Sequence, residues 1–175
     1  MTVTRLITLD DAGPLARLVT QNRDYLAPWS PLQADPYFTV DGQRDTLARD
    51  LRSRELGAML PLVILDSGGA VCGRINLNSI IRGAFQSASV GYWVSESQAG
   101  HGLASAAVAD VTAIAFGELA LHRLEASTLL HNTPSQRVLA RNGFRPFAVA
   151  ESYLKIAGWW QDHILFQLLN PASRS

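Results

Sequence analysis

The stretch GYWVSESQAGHGLASAAV, from Gly91 to Val108, constrains this chain more than any other. A strand-like run ends at Val94, a loop carrying Gly100 and Gly102 follows, and a helix opens on Ala104, Ser105, Ala106 and Ala107. Glycines at those places let the backbone approach a ligand with no Cβ in the way. The free N–H groups of the helix's first turn, together with its dipole, form an anion site, and a pyrophosphate is the natural guest. The same spacing also suits a plain tight turn from strand to helix. A dinucleotide-binding GxGxxG is excluded, because Gly102 is followed by Leu-Ala-Ser and no acidic residue caps a downstream strand. A Walker A loop is excluded for want of a GK[ST] ending.

Hydrophobic periodicity supplies the elements around this turn. Val3 to Leu9 reads as a strand, and Asp10 and Asp11 start a helix carrying Leu15, Leu18 and Val19. Pro28 and Pro31 interrupt any helix in NRDYLAPWSPL. Thr39 is placed to cap a helix bearing Leu47, Leu51 and Leu56. Pro61 to Asp66 and Ala70 to Ile81 form a hairpin about Ser67 to Gly69, and Ser87 to Val94 is the next strand. The long helix after Gly102 has Leu103, Ala107, Val111, Ile114 and Ala115 on one face. His122 to Leu130 is a strand, and Asn132 to Asn142 a helix with Gly143 as its C′ residue. Two last strands lie in Phe144 to Leu154 and Trp159 to Leu169, turning near Ala157 and Gly158. The order β, α, α, β, β, β, α, β, α, β, β predicts an α/β (α+β) fold. Its sheet is mixed, mostly antiparallel and twisted, with six to seven strands flanked by helices. Residues 1–170 read as one domain and residues 171–175 as a frayed tail.

Composition narrows the function classes. At 175 residues the chain suits one domain, and its 15 basic residues balance 15 acidic ones. No Lys/Arg run appears, so a direct nucleic-acid partner is not expected. Lys155 is the only lysine and Cys72 the only cysteine, which excludes an internal disulfide and a multi-cysteine zinc site. The four histidines, His101, His122, His131 and His163, lack HxxxH or HExxH spacing, so no metal is expected. The longest apolar stretch, Ala58 to Leu65, is far short of the ~20 residues that span a membrane. The opening MTVTRLITLDD is not built as a secretory signal. The expectation is a soluble cytoplasmic protein.

QAGHGLA resembles the acyl-CoA pyrophosphate loop of the GNAT superfamily of N-acetyltransferases, whose core pattern is [RQ]xxGx[GA]. Gly100 and Gly102 fall on its two small positions. Ser97 stands where Arg or Gln is usual, with Gln98 one place later. Four further segments resemble the RimJ/RimL-type branch, which acetylates protein N-termini and some small amines. They are NRDYLAPW (Asn22 to Trp29), GYWV (Gly91 to Val94), HRLEA (His122 to Ala126) and NTPSQRVLARNGF (Asn132 to Phe144). With the closing GWWQDHILFQLL the likeness covers nearly the whole chain.

The resemblance implies the GNAT fold and acetyl-CoA as co-substrate. It implies an amine acceptor such as a ribosomal-protein N-terminus, with a small amine or a silent acyl-CoA-binding module as the other readings. It assigns the cofactor to Trp93, Val94, Gln98, Ala99, Gly100, His101, Gly102, Leu103, Ala104 and Asn132. The acyl group is expected beside the end of the strand Val90 to Val94, where a backbone N–H, that of Val94, would polarise the thioester carbonyl. Asn132 and Ser135 form the branch's NxxS, the Asn bonding the cofactor and the Ser protonating the leaving sulfur. Asn132 is equally a natural helix N-cap, and Ser135 can be read as a solvated first-turn serine. For the base, Glu125 on a central strand is the first choice, with an ion pair to Arg123 or Arg145 as its other reading; Glu151 and Tyr153 follow. Tyr25 and Trp29 are expected on the acceptor side. Trp159 and Trp160 serve packing or a homodimer contact, and Cys72 suits a buried strand thiol.

Overall fold

The computed structural model describes residues 2–173. Seven strands form one sheet in the order β1-β2-β3-β4-β5-β7-β6. They are β1 (Thr4–Leu6), β2 (Leu60–Leu65), β3 (Val71–Ile81), β4 (Ser87–Val94), β5 (Arg123–Leu129), β6 (Arg145–Ile156) and β7 (Trp159–Leu169). Every neighbouring pair is antiparallel except β4 and β5, which run parallel. This is the mixed, mostly antiparallel sheet that the element order predicts.

The α-helices are α1 (Ala12–Gln21), α2 (Arg23–Leu26), α3 (Val40–Glu55), α4 (Leu103–Phe116) and α5 (Thr133–Arg141). Leu15 of α1 and Leu47 of α3 bury against Val63 on one sheet face. Ala107, Val108, Val111 and Ala115 of α4 and Leu139 of α5 pack with Leu62, Ile64, Leu124 and Ala126 on the other. Covered on both faces, β2 has no polar alternation, and its centre Pro61 to Ile64 is fully inside. No helix among the described residues is long and apolar enough to cross a membrane.

Local signals set several boundaries. Thr39 caps α3, its Oγ1 accepting from Gly42 N at 3.1 Å. Gly143, at φ +82°, ends α5, with Phe144 N donating to Leu139 O and Gly143 N to Ala140 O. Three expectations shift. Leu56 is not on the buried stripe of α3: it follows the last turn, where the chain has already left the sheet, and is 79% exposed. The opening strand closes at Leu6, because Asp11 Oδ2 accepts from Thr8 N at 2.8 Å and Asp11 N donates to Thr8 O, which starts a 3-10 turn there. The segment before Pro28 holds one helical turn, α2, which the proline ends. At the other terminus, Pro171–Ser173 forms a 3-10 turn, and residues 174 and 175 of the expected tail lie outside the described residues.

Gly42 is where α3 touches the 3-10 turn Asp35–Phe38 most closely. A Cβ there would overlap Pro36 O and lie 2.6 Å from Pro36 C, both backbone atoms with no rotamer to yield. Alanine is the better helix former by about 1 kcal/mol, so only a larger steric cost can make Gly42→Ala harmful. We expect a net loss of about 2 kcal/mol, read as a lower urea midpoint at unchanged m-value.

Candidate active site

The parallel pair makes the site. β4 and β5 pair only through Ser87–Ser89 and Arg123–Glu125, yet they continue to Val94 and Leu129. Beyond that pairing the two strands part, and a cavity of about 190 Å³ opens between them. Its walls are Val90 to Trp93 of β4, Ala126 to Leu129 of β5, and Asn132, Ser135 and Leu139 at α5. Leu26, Trp29 and Ser30 close it from the α2 side, and Leu154, Ile156 and His163 from the last hairpin.

The split leaves backbone groups facing the gap. Ser95 N donates to Cys72 O at 2.8 Å, toward β3. The twofold alternation of a strand therefore turns the N–H groups of Val94 and Tyr92 to the opposite edge, which faces β5. The Val94 N–H, expected from the resemblance to polarise a carbonyl, thus faces the gap. The buried Thr128 Oγ1 has no partner among the described residues, and Thr128 lines the same cavity. An orphaned hydroxyl and unpaired strand N–H groups suit a ligand bearing amides and a carbonyl, such as a thioester on a peptide-like arm.

At the outer end, Glu96–Gln98 forms a 3-10 turn, and Gly100 and Gly102 adopt φ of +80° and +82°. Gly102 is the N-cap of α4 and offers no side-chain acceptor to the first-turn N–H groups. Ala99, Gly100, His101 and Gly102 are exposed, and Gln98, Leu103 and Ala104 partly so. A Cβ built on either Gly100 or Gly102 meets nothing within 4 Å. The loop's glycines are therefore demanded by backbone conformation and leave open space above the helix start, as an anion site requires.

Asn132 caps α5, its Oδ1 accepting from Ser135 N at 3.2 Å. Its amide nitrogen has no partner among the described residues and remains available to a ligand. Ser135 Oγ lies 2.8 Å from Tyr92 Oη, and Tyr92 Oη also donates to Ser135 O at 3.2 Å. Burial pushes the Tyr92 phenol up to about 12, against a lowering by its hydrogen bond to Ser135, so it stays protonated at neutral pH. Ser135 is therefore backed by a phenol rather than merely solvated.

The remaining candidates separate. Trp29 lines the cavity and stacks obliquely on His131, ring centroids 5.5 Å apart, whereas Tyr25 lies outside the lining. Trp93 sits partly against the α1–α3 core. Glu125 does not share the cavity with Ser135. It lines an adjacent one of about 290 Å³ that has Ala126 and Ser127 in common, and its Oε1 accepts from Arg123 Nε at 2.6 Å. Tyr153 borders that second cavity, and Glu151 is exposed on β6. Cys72 is core: burial, aided by Asp66, pushes its thiol up to about 11. Trp159 and Trp160 are 76% and 64% exposed, which removes the packing reading.

Sequence reasoning missed Tyr92, Asn22 and the position of His163. Asn22 is buried at the α1–α2 junction, where its Oδ1 accepts from Glu96 N at 2.8 Å and ties the acceptor side to the glycine loop. Tyr92 was signalled only by alternation, which puts it on the face opposite Trp93.

Known proteins resemble this chain along nearly its whole length. The acetyltransferase (GNAT) domain family matches residues 2–145. The probable N-acetyltransferase YjcK of Bacillus subtilis is 36% identical over 168 residues, 95% of this chain and 93% of its own. The ribosomal protein uS5-alanine N-acetyltransferase of Escherichia coli K12 is 29% identical over 170 residues, 97% of this chain and 88% of its own. The structure of Mycobacterium smegmatis RimJ in complex with CoA-disulfide aligns with a TM-score of 0.93 at 31% identity, covering 98% of this chain and 83% of that one.

Proposed function

This chain belongs to the acetyltransferase (GNAT) family and is an acetyl-CoA-dependent N-acetyltransferase, and we propose that its acceptor is the α-amine at a protein N-terminus. The observation that carries acetyl transfer is the split between β4 and β5, with a glycine-capped helix start at its outer end and the Ser135–Tyr92 pair along its wall. Kinship with a uS5-alanine N-acetyltransferase supports a ribosomal-protein N-terminus as the acceptor class.

In this reading the residues divide the work. First-turn amides of α4, with Gly100 and Gly102 keeping the approach clear, hold the pyrophosphate. The Asn132 amide and the edge of β4 orient the acyl arm. The N–H of Val94 faces the carbonyl oxygen and stabilises the negative charge that develops on it. Ser135, backed by Tyr92, gives the departing sulfur its proton. An α-amine, with a pKa of about 7.7–8.0, is partly neutral near pH 7.5 and can attack directly. No covalent acyl-enzyme is needed, and Cys72 is too deeply buried to form one.

Thiol release from acetyl-CoA against two panels, N-terminal peptides and small amines, tests the acceptor. Turnover on peptides, with a preference at the first residue, is the expected result. Turnover confined to small amines would replace the acceptor class, and binding of acetyl-CoA without turnover on either panel would mark a silent module.

A further inference from the structure

Among the described residues no carboxylate lines the cavity holding Ser135, and the one lining imidazole, a group able to take a proton from an amine, is that of His163 on β7. Its register partner is Leu129, at the end of β5, so it faces the region where β4 and β5 have parted. The ring is only 3% exposed, and Tyr153 flanks it at 5.6 Å between centroids. His163 Nδ1 lies 2.9 Å from Gln161 O. A carbonyl oxygen only accepts, so Nδ1 carries a proton, and the uncharged ring keeps its lone pair on Nε2. Nε2 has no hydrogen-bond partner among the described residues. The arrangement is that of a base whose tautomer and orientation are held by a third group. Glu125, by contrast, has its carboxylate on Arg123 and faces the neighbouring cavity.

We propose that His163 Nε2 is the general base for the acceptor amine, a role that rests on the acetyl-transfer reading above. The amine nitrogen bonds to the thioester carbonyl carbon, and the carbon–sulfur bond breaks with its electron pair going to sulfur. His163 Nε2 takes the proton lost by nitrogen, and the sulfur takes one from Ser135 Oγ. Tyr92 and solvent resupply Ser135, and His163 returns its proton to solvent. Each turnover thus converts amine and thioester to amide and thiol with no net proton left on the protein.

His163→Asn is the informative substitution, because its amide nitrogen can still donate to Gln161 O while the lone pair is gone. On a peptide that the wild type acetylates, kcat should fall by about 10²–10³-fold with acetyl-CoA affinity retained. Added imidazole should recover at least about tenfold in His163→Gly, which a purely structural role would not allow. A kcat for His163→Asn close to wild type, or a larger loss in Glu125→Gln than in His163→Asn, would overturn the assignment while leaving acetyl transfer standing. Should His163→Asn lose acetyl-CoA binding altogether, the imidazole experiment decides, and absence of rescue would overturn the proposal. No thiol release by the wild type with any amine would overturn acetyl transfer itself, and the base with it.

Discussion

Replacing Ser135 with alanine should lower kcat by about 100-fold and leave acetyl-CoA affinity essentially unchanged. The size follows from the leaving group. A thiol has a pKa near 8.5, so thiolate can depart partly unaided, which puts the loss at the low end of general-acid contributions of about 10²–10⁴. The split between kcat and affinity follows from timing, since the proton is needed only as the carbon–sulfur bond breaks. The local structure tolerates the change: Tyr92 Oη can still donate to Ser135 O at 3.2 Å, and the α5 cap uses the backbone of Ser135 rather than its hydroxyl. Tyr92→Phe, which removes only the backing donor, should cost less than Ser135→Ala. Steady-state thiol release with saturating acetyl-CoA reads both. An unchanged kcat in Ser135→Ala would assign the proton to another donor.

Gly102→Val acts at the other end of the site and produces the opposite split. At φ +82° a β-branched residue is strained by about 1–2 kcal/mol, even though no protein atom stands in its way. The side chain would also project over the first-turn amides of α4, where phosphate oxygens must come. Together these should weaken acetyl-CoA binding by about 100-fold, or roughly 2.8 kcal/mol. Gly100→Ala, with a smaller side chain two residues farther from the helix, should weaken it less. Thermal unfolding separates the two parts, because strain lowers the Tm whereas obstruction of the ligand does not.

Much of this was legible in the chain itself. Alternation over Ser87 to Val94, the glycines after it and the small-residue helix start specified the strand, loop and α4, because each depends on local backbone chemistry. Thr39 and Gly143 likewise announced the ends of α3 and α5. Ser135 is marked by the NxxS pattern, but its partner Tyr92 is not: the two are 43 residues apart, and their contact depends on how α5 packs against the sheet. His163 carries no metal-ligand spacing in the sequence, and the role proposed for it depends on a strand pairing beside β5 and on a carbonyl two residues away. Alternation puts Glu125 on the face opposite Leu124 and Ala126, but Arg123, two residues earlier on the same face, claims its carboxylate. Alternation gives a side chain its face; it does not say which partner on that face will hold it.

Acetyl-CoA should bind in the gap between β4 and β5, with its pyrophosphate at the glycine-capped start of α4. Calorimetric titration of acetyl-CoA into the wild-type protein and Gly102→Val measures this. Saturable binding by the wild type in the micromolar range, weakened about 100-fold in Gly102→Val, is the predicted result. No heat of binding to the wild type at high micromolar acetyl-CoA, or equal affinity in the two proteins, would contradict it.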